Sequence, residues 1–211
     1  MNTREAAAKW NVKPRTVAEY CNQGLIPAAE KIKKLGRLVW EIPEDCVKPP
    51  MSRHGFCFLI SQACLIKNGG DYQQVNWNYP LNTVIDGYKY WASNLFINSF
   101  DEKNMENAIK NFTITKRGLE LIRKENASQN DLKVDYDEIQ SAINKIKKMI
   151  SECNLSKENK QQINIAINCL ERENQEKTNP GLVRKFIFKL IEILIEQGVG
   201  FGVALLMQYL I

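Results

Sequence analysis

Lys48-Pro49-Pro50 divides the chain before composition enters the argument. Consecutive prolines remove two backbone donors and push the preceding residue away from helical geometry, so no helix runs through this point. The residues before it read as a unit of their own. Asn2 or Thr3 caps a short helix over Arg4–Trp10, which contains three successive alanines. Asn11-Val12-Lys13 is a tight turn. Pro14 then occupies a first helical position, where its missing N–H costs nothing, and Gly24 ends a helix of about Pro14–Asn22. Val17 and Cys21, four apart, face inward with Ala7 and Val12, which leaves Arg15, Thr16 and Glu19 outward. Two short helices on a short turn make a helix-turn-helix. Beyond Ile26-Pro27, two extended runs around Lys33-Lys34-Leu35-Gly36 read as a β-hairpin wing.

The net charge of +5 lies wholly in this region. Residues 1–40 hold Arg4, Lys9, Lys13, Arg15, Lys31, Lys33, Lys34 and Arg37 against Glu5, Glu19 and Glu30, and the rest of the chain balances to zero. A basic patch at one end suits a polyanion, nucleic acid first, although charge alone describes a solvated lysine face equally well.

Four ordered elements sharpen this reading: Glu5-Ala6-Ala7, Arg15-Thr16-Val17, Gly24-x-Ile26-Pro27 and Trp40-x-Ile42-Pro43. Together they resemble the excisionase/MerR-type winged helix-turn-helix of bacteria. The resemblance implies a recognition helix in the major groove of double-stranded DNA and a wing against an adjacent groove or the backbone. The candidate DNA-binding residues are Lys13, Arg15, Thr16 and Glu19 on the helix and Lys31, Lys33, Lys34 and Arg37 on the wing. Wing cations contact phosphates, with affinity that falls as salt rises, and Arg15 reaches a guanine edge. The stretch between Pro27 and Trp40 is longer than in common members of the family. The long dimerising helix of MerR regulators does not follow Pro49 directly, so neither effector sensing nor promoter twisting is carried over with the resemblance. The competing expectation is that the unit docks on protein.

In residues 51–125, Ser52 caps a helix with Phe56, Leu59, Ile60, Ala63 and Cys64 at i, i+3, i+4, i+7 and i+8. Asn68-Gly69-Gly70-Asp71 ends it. A second helix is expected over Asn82–Asn94, with Val84, Tyr88, Trp91 and Leu95 on one face. Leu95–Phe100 and Asn111–Ile114 read as paired strands around a polar turn at Asp101–Asn107, and Thr115 caps a closing helix over Lys116–Arg123. The phrase Ile114-Thr115-x-x-Gly118-Leu119-Glu120-Leu121-Ile122 resembles the ending of many bacterial winged-helix domains. A second winged-helix-like domain follows, its DNA role open because nine basic residues there face seven acidic ones. His54 reads as an ordinary surface or capping residue.

The third segment, 126–211, opens within the polar stretch Glu125–Asn130 and is helical in pattern beyond it. Ile139, Ile143, Ile146 and Ile150 step by 4, 3 and 4, a heptad-like seam, and Ile163, Ile167 and Leu170 continue on a second helix. Either an antiparallel hairpin or self-association satisfies them. Asp135, Asp137 and Glu138 read as charges favourable at a helix start. After a break at Thr178-Asn179-Pro180, Lys185, Lys189, Glu192 and Glu196 form a stripe among apolar residues. The uncharged run Gln197–Ile211 is fifteen residues, against the roughly 20 a membrane-spanning helix needs. Extending it backwards would bury charges at about 2.5–3.5 kcal/mol each. An oligomer core is the first expectation, ahead of an intramolecular core or contact with a membrane surface.

The expected fold is therefore mainly α with small β-hairpin wings: a winged helix-turn-helix over 1–50, a winged-helix-like domain over 51–125 and a helical oligomerisation region over 126–211. No phosphate loop, nucleophile elbow or metal spacing occurs, and no enzyme activity, metal or cofactor is expected. MNTREAAAKW has no signal-peptide character and the six cysteines form no C-x-x-C pair, which suits a reducing, cytoplasmic setting. The expected function is a sequence-specific DNA-binding protein, a bacterial or mobile-element transcriptional regulator, forming a homo-oligomer through Ile139–Ile150 and Phe186–Ile211. The alternative is an assembly or defence-type effector whose hydrophobic tail acts on a membrane or scaffold.

Overall fold

The computed structural model describes residues 1–127, 134–177 and 179–210. Residues 128–130 of the Glu125–Asn130 boundary, Thr178 of the later break and Ile211 lie outside them. Among the described residues the fold is mainly helical with one two-stranded antiparallel hairpin, as the patterning predicts.

The first unit begins with α1 (Thr3–Trp10), started by a capping box: Asn2 Oδ1 accepts from the Arg4 and Glu5 amides while the Glu5 carboxylate accepts from the Asn2 amide. Asn11 ends it at φ 52°, a left-handed position that asparagine tolerates. α2 (Pro14–Gln23) ends at Gly24, φ 76°. The hairpin pairs β1 (Glu30–Lys34) with β2 (Arg37–Glu41). Ala6, Ala7, Trp10, Val17, Cys21, Ile26 and Ile42 form a small core of their own, with Val12 packed at its margin. Burial pushes the Cys21 thiol up to about 11, so it stays neutral.

Among the described residues, the elements after Pro50 share a second core, which Leu25 joins from the first unit. α3 (Arg53–Lys67) starts on the Ser52 hydroxyl, which accepts from the Gly55 amide at 3.2 Å. It packs against α5 (Met105–Asn111), α6 (Lys116–Ala127) and α10 (Gly200–Met207). On α4 (Leu81–Ser93), Tyr88 and Trp91 join Phe56 and Phe96 in a buried aromatic cluster. α7 (Tyr136–Glu152) and α8 (Lys157–Gln175) form an antiparallel hairpin: Asn174 bonds Tyr136, Glu171 bonds Gln140, and Lys160 bonds Ser151. Asp135 caps α7 by accepting from the Asp137 and Glu138 amides, so this acidic cluster serves the helix start. α9 (Pro180–Glu196) lies between α8 and α10.

Three expectations are corrected. Leu95–Phe100 and Asn111–Ile114 do not build a second hairpin, and their pairing shrinks to one bridge, Ile97 to Ile114. The residues between them are helical: Asn104 Oδ1 caps α5, and Met105, Ala108, Ile109 and Phe112 turn inward at i, i+3, i+4 and i+7. Leu95 leaves the α4 face, at φ 59° and exposed. Finally, the surfaces named for self-association lie inside the chain. Ile139, Ile143, Ile146 and Ile150 are at most 1% exposed, and Ile187, Leu190, Ile191, Leu194, Leu206 and Met207 are buried with α3 in the same core. Glu192 and Glu196 of the charged stripe reach across to Arg123 and Lys116 on α6. Among the described residues no helix is long and apolar enough to cross a membrane.

Candidate nucleic-acid interface

The first unit docks on the second through the exit of α2. Leu25 and Ile26 point opposite ways, Leu25 into the large core and Ile26 into the small one. Tyr90 of α4 donates to the Leu25 carbonyl at 2.8 Å, and the Arg53 amide donates to Gln23 Oε1 at 3.1 Å. Arg53 in turn holds Glu125 at 2.7 Å, both largely buried, with His54 exposed alongside. α2 is thus carried on a fixed base.

The outward face of α2 carries the expected residues. Lys13 is its N-cap and is exposed, and no side chain caps this helix, whose positive end faces outward. Arg15 is 90% exposed and pairs with Glu19 at 3.1 Å, one turn on. The pair is solvated and weak, so Arg15 releases readily to a competing acceptor. Thr16 is half-buried.

In the hairpin, residues directly opposed share a face. The register Lys31↔Trp40, Lys33↔Leu38 and Lys34↔Arg37 therefore divides the wing cations, Lys31 and Lys33 to one face, Lys34 and Arg37 to the other. Lys31 lies over the Trp40 ring at 4.9 Å, and Lys34 meets Glu41 at 3.2 Å. Lys33, Arg37 and Lys13 have no acidic partner among the described residues. The Lys34/Arg37 face opens on a cleft of about 880 Å³ shared with the start of α1 and with Ala18 of α2, which brings Arg4 beside the wing. Lys31, Lys33 and the Arg15 side chain do not line that cleft.

Two residues matter more in the fold than their sequence context discloses. Arg4 stands out in the sequence only as a charge, and its place beside the wing follows from the packing of α1. Leu35, at the wing tip, is fully exposed at φ 48° beside Gly36 at φ 77°. These two left-handed residues make the tight primed turn that suits a hairpin, but left-handed geometry costs a leucine roughly 1–2 kcal/mol. The sequence signal is a leucine where asparagine or glycine is usual. Compared with protein-family models, curated proteins and solved structures, the chain matches none.

Proposed function

We propose that this chain is a sequence-specific DNA-binding protein that acts as a transcriptional regulator, with α2 entering the major groove and the hairpin lying against the neighbouring groove. The observation that carries the reading is the first unit itself. It has its own core, a short exposed helix, and a projecting hairpin whose cations are mostly unmatched by acids. An α-helix is about 10–12 Å across and fits a major groove about 12 Å wide, and the first turn of α2 bears Arg15, suited to a bidentate guanine contact. The effector alternative loses support, because Val203, Ala204, Leu206, Met207 and Leu210 of the apolar tail are buried within the chain.

The test is selection of duplexes from a randomised pool by the full chain, followed by fluorescence anisotropy across a salt series. Enrichment of a common sequence and affinity that falls with salt are expected. Arg15→Ala should relax preference at one base pair by about 1–3 kcal/mol. A chain that retains no duplex at low ionic strength overturns the reading.

A further inference from the structure

The hairpin changes character along its length. Its acids, Glu30 and Glu41, face each other at the base, while Lys33, Lys34 and Arg37 surround the tip. At the extremity stands Leu35, more exposed than any other large apolar side chain among the described residues, with Leu38 next at 72%. Among the described residues nothing buries the Leu35 side chain, which stands at the rim of the cleft beside α1, and asparagine would suit its backbone better. The Leu35 side chain is therefore free to meet a surface outside the molecule.

The division of charge says what that is. A hairpin entering a groove tip-first meets a phosphate backbone on each side, and here each face brings positive charge to the tip: Lys31 and Lys33 on one, and on the other Arg37 beside Lys34, which Glu41 holds from the base. Strands lie about 4.8 Å apart and the minor groove is about 6 Å wide. Only the two-residue tip enters an unwidened groove, so the first group to reach the base pairs is the Leu35 side chain. Apolar side chains delivered this way part a base step and kink the duplex by about 20–90°.

Resting on the DNA-binding reading above, we propose that Leu35 is a minor-groove wedge: it inserts between base pairs and bends the bound DNA, held there by cations on both faces of the wing. A protein surface or a second copy could also cover a leucine. Neither calls for positive charge on both flanks.

The experiment uses the full chain and a duplex recovered from the randomised pool, dye-labelled at both ends, with energy transfer reporting the bend. The wild type should bend the duplex by about 20–90°, and Leu35→Met should keep the bend. Leu35→Asn should abolish most of it and weaken binding about tenfold, with the salt slope unchanged because no charge is altered. Its thermal midpoint should equal or exceed that of the wild type, which separates the effect from misfolding. A straight duplex under the wild type, or a bend that survives Leu35→Asn, overturns the wedge while DNA binding stands. That result would leave Leu35 to a protein partner or another copy. If no duplex is retained, the DNA-binding reading falls and the wedge with it.

Discussion

The Tyr90 hydroxyl donates a 2.8 Å hydrogen bond to the backbone carbonyl of Leu25, and both residues are buried. This bond joins the end of α2 to α4 across the boundary between the two cores. Burial pushes the Tyr90 phenol above its ordinary pKa, so it stays a donor throughout the physiological range. Tyr90→Phe removes the donor and keeps the ring. It should cost about 1–3 kcal/mol by leaving a buried carbonyl short of a partner, read as a lower urea midpoint. An unchanged midpoint would mean that the docking of the first unit does not depend on this bond.

Gly118 faces a different constraint. A Cβ there would lie 2.2 Å from the Phe96 carbonyl oxygen, which also accepts from the Thr115 amide. Gly118→Ala must push α6 away from the loop after α4 and disturb the Thr115 cap, whose hydroxyl accepts from the Gly118 amide. Such overpacking should lower stability by about 1–3 kcal/mol or more. Thermal unfolding of Gly118→Ala at or above the wild-type midpoint would contradict the close approach.

The wing charges should act through counterion release. Replacing Lys33, Lys34 and Arg37 by alanine should weaken binding at every sequence and flatten the log–log salt dependence by about 0.9 for each phosphate no longer neutralised. The side chains are exposed and the core of the first unit lies elsewhere, so stability should change little. A salt slope equal to that of the wild type would show that these cations do not meet phosphates.

Alkaline pH should unfold the protein through its buried thiols. Burial pushes Cys64 from 9.0 up to about 12 and raises Cys57 further. An unfolded thiol releases its proton near pH 9 while the folded one keeps it. Stability is therefore fully present below about pH 9 and falls towards pH 12, by up to about 1.4 kcal/mol per pH unit for each thiol. Lys67, whose pKa burial lowers from 10.5, opposes this in part. Guanidinium midpoints at pH 8 and pH 10.5 measure the slope, and Cys64→Ala should make it shallower. A stability independent of pH over that interval would contradict the buried, neutral thiols.

The first unit was legible because its punctuation is local. Asn2 fixes a helix start by its side chain, Asn11, Pro14 and Gly24 fix helix ends by their backbone geometry, and Leu35-Gly36 reads as a turn from two residues. The middle segment misled at Asp101–Asn107. Its polar residues resemble a turn, yet Asp101 and Asn104 cap helical turns, and only the spacing of Met105, Ala108, Ile109 and Phe112 discloses the helix. Burial of the Ile139–Ile150 seam was equally clear, but not what covers it. A stripe of isoleucines packs against Ile163 and Ile167 of its own chain or against a copy with the same periodicity, and sequence pattern does not separate the two. At the candidate interface, the residue types on α2 were readable, whereas the split of the wing cations between two faces required the strand register.

α10 packs on α3, some 140 residues earlier in the chain. During synthesis the small core of the first unit can close as soon as Ile42 has left the ribosome, since no buried member of it lies later in the chain. The larger body closes only once residues 200–210 emerge, and until then the face of α3 that α10 covers stays bare, an exposed apolar surface of the kind that favours aggregation of nascent chains.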